Sequence, residues 1–106
     1  MDIVKNVKLS ALYEIYGGSL TEKQKQVVDF CVLQDLSLGE ASDLLNISRQ
    51  AVKYTLDNAT ESMLKLDEKL KFLSKIESLK EKLADVLKNT DEKEIKKKIN
   101  KILEDI

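Results

Sequence analysis

Apolar residues recur at steps of three and four along most of this 106-residue chain, the spacing of one helical face. Between Asp2 and Tyr16 they are Ile3, Val4, Val7, Ala11, Leu12 and Ile15, and Gly17-Gly18 then ends the helix. Thr21 is the next N-cap, with Gln24 three positions on completing a capping box. The second helix runs through Val27, Val28, Phe30, Cys31 and Leu33 to about Gln34. Ser37 and Glu40 repeat the box ahead of a short third helix, and Asn46 suits its end because Asn tolerates left-handed backbone. Ser48 caps a fourth helix, with Ile47 before the cap and Val52 within it placed as a hydrophobic staple.

After Ser48 neither glycine nor proline interrupts the chain, and Leu56, Ala59, Met63, Leu66, Leu70 and Leu73 alternate threes and fours as a heptad seam. Ile76 and Leu79 then follow at successive threes, a register shift that predicts a bend or break near Ser74. That boundary separates a module over residues 1–74 from an extension over 75–106. A second break is expected at Asn89-Thr90, with Thr90 as cap of a last helix carrying Ile95, Ile99, Ile102, Leu103 and Ile106 on one face. Such a face has no use in water, so the tail helices should fold back or pair. The Leu56 to Leu73 seam reads either as internal core or as a self-association surface, and its near-heptad spacing in a small chain favours a homodimer.

The fold class is therefore all-α: an N-terminal helix-turn-helix module, a long helix and C-terminal amphipathic helices. Composition agrees, with no Pro or Trp, three Gly, three Tyr and two Phe leaving few strand-forming residues. Eighteen basic against nineteen acidic side chains make neither a polyanion nor a polycation binder. With no His and Cys31 as the only Cys, a structural zinc site, His-based triads and C-x-x-C redox chemistry fall away. No phosphate-cradling glycine motif is present either. The expectation is a non-enzymatic protein without metal or cofactor, with Cys31 a buried, inert thiol. No charged start followed by an apolar run marks a signal peptide, and no apolar stretch is long enough to enter and cross a bilayer. The expected location is the cytoplasm.

The informative stretch is Ser37 to Leu56, S-L-G-E-A-S-D-L-L-N-I-S-R-Q-A-V-K-Y-T-L. A short helix, a tight turn and a second helix opening S-R-Q-A-V is the layout of a helix-turn-helix. Ala41, Leu44, Ile47, Val52 and Leu56 would form its shared core. Arg49, Gln50, Lys53 and Tyr54, with the Ser48 cap, would face outward as the partner- or nucleic-acid-binding surface.

Leu20 to Phe30 followed by this stretch resembles the region-4-like domain of bacterial sigma factors. With the preceding V-K-L-S-A-L-Y-E-I-Y-G-G-S-L-T-E-K-Q, the chain resembles more closely the YlxM family of small helical proteins encoded beside signal recognition particle components. The resemblance spans about residues 3 to 75. Asn46 stands where a glycine is usual, and Thr55, Asp57 and Asn58 replace further basic residues.

The resemblance implies an accessory or regulatory role in the signal recognition particle (SRP) pathway, with the particle's protein or RNA component as partner. The alternative is a DNA-binding transcription regulator that uses the helix starting at Ser48. Charge weighs on the choice, because residues 1–48 hold four basic and seven acidic side chains and residues 49–74 hold five and four. A DNA-binding module normally shows a basic face, which places a protein or ribonucleoprotein partner ahead on sequence grounds.

Overall fold

A computed structural model describes residues 3–106, with side chains from Lys8 onward. The apolar positions expected of Ile3, Val4 and Val7 lie outside the described side chains. The order is α1 (Ile3–Tyr16), a 3-10 turn (Gly17–Ser19), α2 (Glu22–Val28) continued by a π-turn (Asp29–Leu33), α3 (Leu38–Leu45), α4 (Arg49–Leu70), α5 (Phe72–Lys88) and α6 (Lys93–Asp105). No strand occurs among the described residues. Two compact units result, one ending at Leu70 and one running from Lys71 to Ile106.

In the first unit α1, α2 and α3 all pack on α4. Leu12, Val27, Val28, Ala41, Val52, Ala59 and Met63 are closed off from solvent. Both predicted capping boxes form. Thr21 accepts from the Gln24 amide at 3.2 Å while the Gln24 side chain accepts from the Thr21 amide at 3.0 Å. Ser37 and Glu40 do the same at 3.0 and 3.1 Å.

The α1–α2 junction is built on Tyr13, Tyr16 and Gly17. A Cβ at 17 would lie 2.8 Å from the Tyr13 ring, so a larger residue there would force that ring to shift. Tyr16 is buried, and its hydroxyl donates to Asp67 Oδ1 at 2.7 Å, tying the end of α1 to α4.

The end of α2 departs from a regular helix. It widens so that the Gln34 amide donates to Asp29 and the Leu36 amide to Phe30, both at 2.9 Å. Asp35 takes the left-handed conformation, φ 55°, which closes this widened helix end without glycine.

The break expected near Ser74 falls at Lys71, which also has left-handed backbone, φ 57°. That conformation costs a non-glycine residue about 1–2 kcal/mol. The Ser74 hydroxyl and the Lys75 amide both return to the Lys71 carbonyl, at 3.2 Å each.

The seam through α4 divides as well. Leu56, Ala59 and Met63 are buried within the first unit, Leu66 is half-buried and Leu70 is exposed. Its well-buried half is thus internal core and is not available to a dimer.

In the second unit α5 and α6 pack on one another through the short connection 89–92, which makes them antiparallel neighbours. Thr90 is not the cap of α6. Its hydroxyl accepts from the Glu92 amide at 3.4 Å within the loop, and the chain stays extended at Glu92, which is the N-cap. Ile99 is buried, Leu103 and Ile106 are half-buried, and Ile95 and Ile102 stand exposed. No helix among the described residues is long and apolar enough to cross a membrane.

Candidate nucleic-acid interface

The turn between α3 and α4 is made by Asn46 in the left-handed conformation, φ 55° and ψ 45°, with its amide bonded back to the Ser42 carbonyl. Ser48 then starts α4 by accepting from the Ala51 amide at 3.0 Å. Ala41, Val52 and Leu56 are buried as the shared core of the pair, and Ile47 is half-buried. Leu44 is not part of that core. It is 64% exposed, because in this short helix it lies on the face turned away from α4.

Ser48, Arg49, Gln50, Lys53 and Tyr54 are all exposed. Helical spacing puts the last four on one stripe of the first two turns of α4. Tyr54 is the most open of the large apolar side chains among the described residues, at 71%.

Two of the five are not simply extended into water. The Arg49 guanidinium lies over Gly39 in the first turn of α3, where a Cβ would sit 2.9 Å from one of its nitrogens. Gly39 does not have positive φ, so α3 does not require glycine for its backbone. What glycine supplies is room for the exposed Arg49 guanidinium to rest against the first turn of α3.

Lys53 Nζ is 2.9 Å from Asp57 Oδ2 in an exposed i,i+4 pair. It also lines a groove of about 380 Å³ with Asp35 and Glu40, which gives its ammonium an acidic neighbourhood. A wider groove of about 480 Å³ between α1 and α4, lined by Lys8, Leu9, Leu12 and Leu64, shares Lys53 and Asp57 with the first. The Lys53–Asp57 pair therefore stands as a ridge between two concavities.

The sequence pattern had not singled out Gly39 or the role of Asp57. The i,i+4 spacing of Lys53 and Asp57 was a usable signal, whereas the contact of Arg49 with Gly39 spans two helices and left none.

Cys31 is buried beside Val32, and burial pushes its thiol above the ordinary value of 9.0. That disfavours the reactive thiolate. No cluster of three or more potential metal ligands occurs among the described residues.

The model of the UPF0122 family, described as helix-turn-helix protein, YlxM / p13 like, matches residues 3–106. The match reaches past residue 75, where the visible sequence resemblance stops, and takes in both tail helices. A UPF0122 protein of Thermoanaerobacter sp. (strain X514) is 39% identical over 101 residues, covering 92% of this chain and 86% of the relative. One from Shouchella clausii is 40% identical over 85 residues, covering 79% and 77%. One from Halalkalibacterium halodurans is 34% identical over 103 residues, covering 96% and 94%. With its capped α3–α4 pair and a match over nearly its whole length, the chain belongs to the UPF0122 family of YlxM / p13-like helix-turn-helix proteins.

Proposed function

We propose that this protein is a non-enzymatic, DNA-binding regulator whose reading element is the first two turns of α4. The observation that carries this is the exposed stripe Arg49, Gln50, Lys53 and Tyr54 on a helix opened by the Ser48 cap, at the position a helix-turn-helix presents to the major groove. Gln50 suits bidentate contact with adenine and Arg49 with guanine. Ser48 and Lys53 suit phosphate oxygens, which position the helix without reading sequence. Tyr54 offers an apolar ring to the sugar or a thymine methyl.

The SRP reading finds no support in the family description or in the names of these relatives, so it stands second. The unit ending at Leu70 carries eight basic against eleven acidic side chains. Affinity must then come from few phosphate contacts, and its salt dependence should be shallow, a log–log slope of about −1 for each basic side chain that meets a phosphate.

The test is a low-salt binding assay of the full chain against randomised duplex DNA, the particle's RNA and its GTPase protein in parallel. Selective recovery of a duplex motif, lost on substitution of Arg49 and Gln50 by Ala, is expected. Binding of the RNA or the GTPase with no duplex preference would overturn the reading.

A further inference from the structure

We propose that the α5–α6 hairpin pairs with the same hairpin of a second copy of the chain, through the side that carries Leu79, Val86, Ile95 and Ile102. Both helices carry their apolar residues at alternating steps of three and four. On α5 these include Ile76, Leu79, Leu83 and Val86, and on α6 Ile95, Ile99, Ile102 and Ile106. Burial alternates along the same rows. Ile76 and Leu83 are half-buried while Leu79 and Val86 are 47% and 49% exposed. On α6, Ile99 is buried and Ile106 half-buried while Ile95 and Ile102 are 38% and 45% exposed.

Each heptad row is thus half used inside the hairpin and half left open. Antiparallel neighbours mirror one another, so the open positions of both helices lie on the same side. That is the side on which a four-helix bundle places its second pair of helices.

Size and charge name the occupant. A unit of fewer than about 40 residues rarely closes a core without help such as oligomerisation, and here only Ile99 is buried. The four open side chains offer roughly 300 Å² per copy, at the lower edge of the largest apolar patches found on monomers, which are often functional. Two copies with their flanking lysine stems approach the ~1,000 Å² that a specific interface needs. On α6 the flank beside Ile102 carries Lys98 and, one heptad on, Asp105. Two α6 helices antiparallel about a two-fold axis near Ile102 set each Lys98 opposite an Asp105, twice over, as a self-complementary interface requires. The pairing is independent of what α4 binds.

Sedimentation equilibrium of the full chain, spanning about 1 to 100 μM, should return twice the 12.1 kDa chain mass. Ile102→Glu and Leu79→Lys alter exposed positions and should keep the helical circular dichroism of the parent. Each should raise the dimer dissociation constant about 100-fold or more by burying an unpaired charge. Lys98→Asp and Asp105→Lys should each weaken the dimer, and together restore it. A chain that stays at 12.1 kDa throughout overturns the proposal, as do dimers indifferent to Ile102→Glu and Leu79→Lys. A double charge exchange no better than its single members also overturns it. The monomeric result would assign the face to another protein's helix.

Discussion

The two units use the same helical periodicity to different ends. Of fourteen buried apolar side chains among the described residues, thirteen belong to the unit ending at Leu70 and only Ile99 to the other. The first unit surrounds α4 with three other helices, so residues on several sides of α4 find neighbours. The second has two helices, and a helix with one neighbour covers only part of its apolar face. An amphipathic pattern therefore says that a face wants covering. How many neighbours arrive to cover it is a separate matter.

The largest expected effect separates the two cores directly. Leu12→Ala or Met63→Ala removes a fully buried side chain and should cost about 2–5 kcal/mol in chemical denaturation of the full chain. At concentrations low enough to hold the chain monomeric, Ile102→Ala, at an exposed site of the hairpin, should leave the same transition within about 0.5 kcal/mol. Equal losses at both would mean that the units share one core, and the contrast would collapse.

A middling effect is expected at Gly39, where two tendencies oppose. Alanine there gains helix propensity of up to about 1 kcal/mol but displaces Arg49 from its place over α3. Gly39→Ala should therefore stabilise the chain more in an Arg49→Ala background than in the parent, and should weaken DNA binding only when Arg49 is present. Strict additivity in thermal melts and in binding would show that the contact between Gly39 and Arg49 carries no energy.

Asp57→Asn releases Lys53 from its ion pair. Because the pair is exposed, stability should change by well under 1 kcal/mol. Duplex affinity, however, should rise several-fold and the salt slope steepen by about one unit as Lys53 becomes free to meet a phosphate. An unchanged slope in a salt titration would remove Lys53 from the phosphate contacts.

The smallest effect concerns Cys31. Below its ordinary value of 9.0 both folded and unfolded chains hold the thiol proton. Above it the unfolded chain releases the proton first, so stability should fall as pH rises through the alkaline range and level off once the folded thiol ionises too. Cys31→Ala should remove this slope from denaturation curves recorded at alkaline pH.

Local features were legible in the sequence where one stretch of chain holds both the cause and the effect. The Thr21–Gln24 and Ser37–Glu40 boxes, left-handed Asn46 and the Ser48 cap each depend on residues within about one turn of each other. Their geometry follows from side-chain chemistry whatever lies beyond. The exposed stripe Arg49, Gln50, Lys53 and Tyr54 was legible for the same reason, since a helical wheel anchored by buried Val52 and Leu56 leaves those positions outside. The left-handed endings at Asp35 and Lys71 were not: lysine disfavours that conformation and aspartate tolerates it only occasionally, so surrounding backbone bonds decide it.

The amino-acid sequence by itself determined the helices, the caps at Thr21, Ser37 and Ser48 and the polar face of α4, because propensity and hydrogen bonding act over three or four residues. Only the tertiary structure decided which apolar rows became core. Leu44 and Leu70 fit the period as well as Val52 and Met63 do, yet the first two stand exposed and the second two are closed off. Burial depends on whether another helix crosses at that level, and a one-dimensional pattern does not carry that information. The same holds for Arg49, whose place was decided by the chance that α3 brings a glycine, and not a side chain, beneath its guanidinium.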